Sequence, residues 1–172
     1  ATLLTANDVA ATLSGTVSAV NANTIANATE GKVTATIAAD TAGALNGALT
    51  DTTFPTDGNA YTLTVNNIAG AAAATDLNAL NAKTSVKVKV DAAAVTGDYA
   101  DLETLYVINK ANFANLGNEA VVITGTPLAS QVNTIAKATT GIVTAAATAT
   151  ADVLVANLKD ANATDVLTLT VT

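Results

Sequence analysis

The sequence contains no histidine, cysteine, methionine or tryptophan, and all seven of its cationic residues are lysines. Without cysteine or histidine it has no thiol nucleophile, no disulfide, no imidazole base and no zinc ligand other than carboxylates. Without arginine it lacks the planar guanidinium that binds phosphate or carboxylate groups in a bidentate way. We therefore expect no enzymatic activity and assign no catalytic residue.

Aromatic residues make up 3 % of the sequence and charged residues 12 %, whereas about a quarter of an average domain is charged. Half of the residues are hydrophobic, mostly Ala, Val, Leu and Ile, so the core must be built from small side chains. A net charge of −7 argues against a nucleic-acid partner, because phosphate binding needs clustered cations. The sequence contains no run of eighteen apolar residues, so no membrane-spanning helix is predicted.

One stretch of the sequence occurs twice. "NTIANATEGKVTA" (23–35) returns as "NTIAKATTGIVTA" (133–145), and ten of its thirteen positions are identical. The segment 62–90 has the same order of parts in looser form, so the two copies are separated by two periods of about 55 residues. The sequence thus predicts one repeat array, 1–172, with approximate copies at 12–60, 61–120 and 121–172.

Short alternating runs rich in β-branched residues predict half-buried strands. There are seven: "TLSGTV" (12–17), "VTATI" (33–37), "YTLTV" (61–65), "VKVKV" (86–90), "VVIT" (121–124), "IVTAA" (142–146) and "VLTLTV" (166–171).

Stretches rich in Ala, Leu and Asn lie between these runs and predict short helices, at 20–29, 40–49, 74–83, 98–108, 131–139 and 151–160. Asp40, Thr75 and Ser130 are the expected N-caps. Gly31 and Gly141 stand between helix and strand, where a left-handed C-terminal glycine is expected.

Strands that alternate with helices favour parallel pairing. The runs place Val, Leu and Ile on one face and Thr or Lys on the other, which predicts that one face of the sheet is exposed to water. We therefore expect an α/β fold of tandem β-α repeats, a parallel-sheet solenoid with helices on one face. The alternative is an open α/β sheet with helices on both faces, in which strands read as continuous apolar runs.

The polar face of the strands is the first candidate site. A ladder of Thr-x-Thr and Lys-x-Lys pairs suits a regular ligand such as ice or a glycan, although Thr is also a favoured polar residue on any strand. The candidates are Thr34, Thr36, Thr62, Thr64, Lys87, Lys89, Thr168 and Thr170.

Two loops rich in Asp and Asn are the second candidate. Calcium takes six to eight oxygen ligands from a loop that can wrap around it. Asx turns explain such residues equally well, so calcium is a possible cofactor and no cofactor is required. The candidate ligands are Asp51, Asp57, Asn59, Asp160, Asn162 and Asp165.

The segments "VNNIAGAAAATDLNALNAKTSVKVKVD" (65–91) and "VTATIAADTAGALNGAL" (33–49) resemble strand–helix repeats of very large secreted bacterial surface proteins. These are the haemolysin-type or RTX-associated and S-layer-like proteins of cyanobacteria and other bacteria. The resemblance implies an extracellular, often calcium-associated setting and a structural or adhesive role. The glycine–aspartate nonapeptide that binds calcium in RTX proteins is absent from this sequence.

The two outermost predicted strands, 12–17 and 166–171, carry no obvious polar cap. An open sheet edge invites pairing with another chain. We therefore expect a structural, self-assembling module of a bacterial surface layer, sheath or fibre, at the cell surface, with itself or a longer repeat chain as partner. The alternative is an adhesin that uses the Thr/Lys face, with a surface glycan or ice as its ligand.

Overall fold

The computed structural model describes residues 8–51 and 58–172 of the chain. Nine strands are present in this part: β1 (Ala11–Val17), β2 (Val33–Ile37), β3 (Ala60–Thr62), β4 (Thr64–Ala73), β5 (Val88–Gly97), β6 (Phe113–Ala114), β7 (Ala120–Ile123), β8 (Val143–Ala149) and β9 (Val166–Val171). The helices are α1 (Ala19–Ala26), α2 (Ala42–Ala48), α3 (Ala74–Ala82), α4 (Tyr99–Glu103), α5 (Ala129–Ala138) and α6 (Ala151–Asn157). A π-helical turn (Thr104–Ile108) and a 3₁₀ turn (Lys110–Asn112) follow α4.

All strand pairs are parallel, and the strands lie in the order in which the chain makes them. The first sheet has the order β1-β2-β3, and the second has the order β4-β5-β7-β8-β9 with β6 also paired to β5. Leu63 alone separates β3 from β4, and the Lys89 N–H donates to its carbonyl oxygen at 3.0 Å. The predicted α/β class with parallel strands is confirmed.

Within each sheet, neighbouring strands are joined by a connection whose length varies. Ala11 faces Val33, whereas Thr34 faces Ala60 after a longer turn. The register between β4 and β5 also shifts, at a bulge in β4 that follows Asn67. The turns differ in length, but the strands remain hydrogen-bonded neighbours.

One face of the sheet is buried against the helices. In β2 the side chains of Val33, Ala35 and Ile37 are buried, while Thr34 and Thr36 are exposed. β-Branched and small apolar residues fit a pleated surface that is buried on one side. The core also contains two large polar-tipped side chains, Tyr61 and Tyr106, which are almost fully buried.

Three helices begin with a side-chain cap. The Ser18 hydroxyl accepts a hydrogen bond from the Asn21 N–H, the Thr41 hydroxyl accepts one from Ala44, and the Asp98 carboxylate accepts one from Asp101. Such caps satisfy backbone donors that have no partner in the first turn.

The N-caps predicted at Asp40, Thr75 and Ser130 are wrong. Thr41 caps α2, and Asp40 only accepts the Thr41 N–H at 2.7 Å. Strand β4 runs directly into α3 after Ala73, so no extended residue is left for a threonine cap. Helix α5 begins after Leu128, whose N–H donates to the Gln131 side chain at 2.8 Å.

The left-handed conformation predicted for Gly31 and Gly141 is also wrong. The described glycines with positive φ are Gly15, Gly58, Gly117 and Gly125. Gly31 and Gly141 are required for close approach instead. A Cβ on Gly31 would lie 2.4 Å from the Val9 carbonyl carbon, and one on Gly141 would lie 1.9 Å from the Glu119 carbonyl oxygen.

Threonine hydroxyls join successive turns of the chain at three equivalent places. Thr29 donates to the Val9 carbonyl at 2.6 Å, Thr84 to the Tyr61 carbonyl at 2.8 Å, and Thr139 to the Gly117 carbonyl at 3.1 Å. Each hydroxyl also accepts the N–H of the residue two positions later, at 3.0 to 3.1 Å. The three threonines are equally spaced along the sequence.

Candidate functional site

The outer face, defined as the strand face on which Thr34 and Thr36 are exposed, brings some of the predicted Thr residues together. Thr16, Thr36 and Thr62 are in register across β1, β2 and β3. Thr34 is also exposed on this face, next to Thr12 in β1. The N-terminal part of the ladder is therefore one continuous polar patch.

Two lysines extend this patch, and one of them is held in an ion pair. Thr64 is half-buried and faces Lys89, and Lys87 lies exposed just before β5. The Lys89 ammonium forms an ion pair with the Asp91 carboxylate at 2.6 Å. That hydrogen bond, together with a second from Asn115, holds the pKa of Asp91 below its usual range.

The predicted ladder does not run unbroken across the sheet. Thr168 and Thr170 are exposed on β9 and face Ala146 and Thr148 of β8. Between β5 and β8 lies β7, where Val122 occupies the outward position between buried neighbours. The ladder is divided into an N-terminal patch and a C-terminal patch.

A groove on the outer face was not predicted. It is lined by Ile68, which is 70 % exposed in the β4 bulge, by Asp91 of β5 and by the loop after β6. The loop turns at Asn115, which has a positive φ of 64°. The lysine–aspartate spacing in "VKVKVD" places Lys89 and Asp91 on one face, and that signal could have identified Asp91.

The first predicted calcium loop is partly described. Asp57 lies outside the described residues, whereas Asp51 and Asn59 are buried. The Asp51 N–H donates to the Asn23 side chain at 2.7 Å. The Asn59 side-chain oxygen accepts the Val33 N–H at 2.9 Å, so it satisfies a backbone donor of β2.

The second predicted calcium loop uses its oxygens in a similar way. Asp160 accepts the Asn133 side-chain amide at 2.7 Å, and Asp165 accepts the Val143 N–H at 2.8 Å. Asn162 accepts the Thr164 N–H at 3.0 Å, which closes an Asx turn. Within residues 8–51 and 58–172, no three His, Cys, Asp or Glu side chains converge.

The two ends of the sheet form the third candidate surface. In the described chain β1 pairs with β2 alone and β9 pairs with β8 alone. At the β9 end the side chains of Val155 and Val171 are 80 % and 63 % exposed. Val153, Val166 and Leu169 of the same two elements are also exposed. We call these five residues and the free edge of β9 the C-terminal end surface.

No protein-family model, curated protein or solved structure matches this chain. Among the helices described above, none is both long and apolar enough to cross a membrane.

Proposed function

We propose that this chain is a structural, self-assembling module of an extracellular bacterial surface layer, sheath or fibre. The observation that carries the proposal is that, within residues 8–51 and 58–172, β1 and β9 each pair with another strand on one side only. An exposed strand edge offers a row of free N–H and C=O groups to another chain. Apolar side chains beside the β9 edge add area that becomes buried on association.

The proposed architecture is a solenoid with all helices on one side of the sheet. Support comes from the outer face, where Thr34, Thr36 and Lys89 are exposed rather than covered by helices. Helices also pack in chain order, α1 on α2 and so on to α6. An array in which each unit contacts its neighbours is the pattern of repeat proteins.

The proposed unit comprises two turns of the chain, with a period of about 55 residues. Support comes from the three threonines that make the same bonds and from the helix starts Ala19, Ala74 and Ala129, which share that spacing. Val33, Val88 and Val143 begin β2, β5 and β8 at the same interval, and all three are buried.

Electron microscopy and light scattering of the purified chain test the proposal. We expect ordered fibres or sheets whose mass grows with protein concentration. A chain that remains a monomer at every concentration, by both methods, would contradict self-assembly.

Edge variants locate the contact. Val155→Lys and Val171→Lys place a charge on the C-terminal end surface, and we expect both to prevent polymer growth. Ala44→Lys adds the same charge to an exposed position of α2, away from both ends, and should leave growth unchanged. Equal growth in all three variants would exclude this surface as the contact.

Calcium dependence is part of the same proposal. The experiment is repeated with calcium and with a chelator. Assembly that requires calcium would assign a role to the Asp/Asn loops, and Asp160→Asn should then raise the calcium concentration needed. Assembly that is equal under both conditions would remove calcium from the proposal.

A ligand-binding adhesin is the second candidate function, and the groove beside Ile68 favours it. Asp91 and Asn115 place polar groups next to an exposed apolar side chain, a combination common in ligand sites. A glycan array and an ice-recrystallisation assay test this function. Asp91→Ala should abolish binding, and Asp152→Ala, at an exposed position of α6, is the matched control.

A further inference from the structure

A lysine, an asparagine and an aspartate meet between α2 and α3. The Lys83 Nζ donates to the side-chain oxygen of Asn46 at 2.6 Å. The side-chain nitrogen of the same Asn46 donates to the Asp76 carboxylate at 2.9 Å. The Asn46 amide is thus held between an amine and a carboxylate.

The distance allows the amine to reach the amide carbon. A C=O bond is about 1.2 Å long, so Nζ lies within about 3.8 Å of the Asn46 Cγ. Reacting atoms in a near-attack arrangement are about 3 to 3.5 Å apart, which a small torsion of the lysine side chain would give. All three side chains are partly buried, which keeps them in this arrangement.

The surroundings of Lys83 favour a reactive amine. Burial lowers the pKa of Lys83, against the opposing effect of the nearby Asp76 carboxylate. A desolvated lysine is a stronger nucleophile at neutral pH because more of it is uncharged.

This arrangement occurs in only one of the three proposed copies. The positions one repeat period before and after Lys83 are Ala28 and Ala138. The cation is therefore not required by the general packing of the turns.

We propose that Lys83 and Asn46 form an intramolecular isopeptide bond, with Asp76 as the catalytic carboxylate. Lys83 gives one ammonium proton to water, and its lone pair forms a bond to the Asn46 Cγ. The Cγ–Nδ2 bond breaks, and the second proton lost by the lysine nitrogen moves to Nδ2. Asp76 already accepts a hydrogen bond from Nδ2, and a water molecule between its carboxylate and the lysine nitrogen would complete the relay of that proton. One ammonia leaves, and no oxidant or cofactor is consumed.

The same contacts have a simpler explanation. An unreacted Lys83 ammonium donates to the backbone carbonyls of Asn46 and Leu49 as well, and so closes the C-terminal end of α2. The two explanations differ in the mass of the protein, so one measurement separates them.

Intact mass spectrometry of the full chain is that measurement. We expect a mass lower than that of the sequence by one ammonia, and a protease digest in which the peptides containing Asn46 and Lys83 remain joined. The full, unreduced mass would overturn the proposal.

Two controls are needed because Asn46 is followed by Gly47, a pair that can also lose ammonia by forming a backbone succinimide. Lys83→Arg should restore the full mass if the isopeptide is correct, whereas a succinimide would persist in that variant. Hydroxylamine cleaves the succinimide and leaves the isopeptide intact. Ammonia loss in Lys83→Arg would overturn the proposal.

Asp76→Ala tests the catalytic role. We expect a folded protein, checked by circular dichroism, with the full mass or a cross-link that forms at least tenfold more slowly. Asp76→Asn serves the same purpose if the alanine variant does not fold. Lys87→Arg, at an exposed lysine outside the cluster, should retain the reduced mass. Cross-linking at the wild-type rate in the Asp76 variants would overturn the role of Asp76.

Discussion

The two nearly identical stretches at 23–35 and 133–145 differ in burial more than in sequence. Ile25 and Ile135 occupy the same place in α1 and α5, yet Ile25 is 36 % exposed and Ile135 is fully buried. Helix α1 has α2 as its helical neighbour, whereas α5 packs against α4 on one side and α6 on the other. The number of helices packed on either side, rather than local sequence, sets how much each of these two residues contributes to stability.

Among the paired substitutions, Gly141→Ala and Gly31→Ala should differ most in their effect on the free energy of unfolding. Ala in place of Gly141 would put a Cβ 1.9 Å from the carbonyl oxygen of Glu119, a buried residue between β6 and β7. We expect Gly141→Ala to lower the free energy of unfolding by about 4 kcal/mol. Gly31→Ala clashes with Val9, which lies exposed before β1 and has more room to shift, so its loss should be about half as large. Urea denaturation compares the two, and equal losses would contradict the role of position.

The isoleucine pair should show the next largest difference. Truncation of a buried Ile to Ala costs about 2 to 5 kcal/mol, and the cost falls with exposure. We expect Ile135→Ala to lose about 3 kcal/mol and Ile25→Ala about 1 kcal/mol. Thermal unfolding followed by circular dichroism measures both. If assembly covers the N-terminal end, the loss in Ile25→Ala should increase at concentrations where polymers form.

The threonine pair should show a smaller effect. Thr139→Val removes the hydrogen bond to the Gly117 carbonyl and leaves the Gly141 N–H without its acceptor. An unpaired buried donor costs about 1 to 3 kcal/mol. We expect about 2 kcal/mol for Thr139→Val and about 1 kcal/mol for Thr29→Val, since Thr29 is more exposed. Thr→Ser at each position retains the hydroxyl and is the control.

The last comparison, between Val9 and Glu119, predicts a difference in stability that is seen only at alkaline pH. Val9 and Glu119 are equivalent positions, but only Glu119 is buried, where it accepts the hydroxyl of Tyr106. Burial, and then the Glu119 carboxylate, raise the pKa of Tyr106, and burial with Asp51 raises the pKa of Tyr61 to about 12. A raised folded-state pKa stabilises the protein fully below the unfolded value of about 10 and progressively less above it.

We therefore expect the melting temperature to fall as the pH rises from about 10 toward 12. Tyr106→Phe should reduce that fall, because it removes one of the three tyrosines whose pKa is raised in the folded protein. Tyr99→Phe should reduce the fall less: the hydrogen bond to Glu103 raises the pKa of Tyr99, but Tyr99 is only half-buried. A melting temperature that is independent of pH in this window would contradict the assignment.

Strand positions could be predicted from the sequence because one face of the sheet is exposed to solvent, which gives the strands an alternating polar and apolar pattern. The alternation in "VTATI" and "VLTLTV" gave β2 and β9 with the correct first and last residues. The extensions of β4 and β5 were missed, because the alanine-rich segments 69–73 and 92–94 show no contrast between faces.

Contacts between distant residues could not be predicted in the same way. The groove depends on a bulge between Asn67 and Ala71 and on the break between β6 and β7, neither of which has a local signal. Lys83 meets Asn46 although the two lie far apart in the sequence. In the predicted Asp/Asn loops, Asn59, Asp160 and Asp165 accept hydrogen bonds from neighbouring turns, and composition alone does not distinguish such acceptors from metal ligands.

The unequal turn lengths have a consequence for how such a chain can change over time. Successive turns contain different numbers of residues, yet every turn advances the sheet by one strand spacing of about 4.8 Å. In the proposed coil, residues inserted within a turn widen its circumference and leave its length unchanged. Duplication of a whole two-turn unit lengthens it by a fixed step of about 10 Å. The circumference and the length of the coil would therefore vary independently. Small insertions would change the circumference, and only whole-unit duplications would change the length.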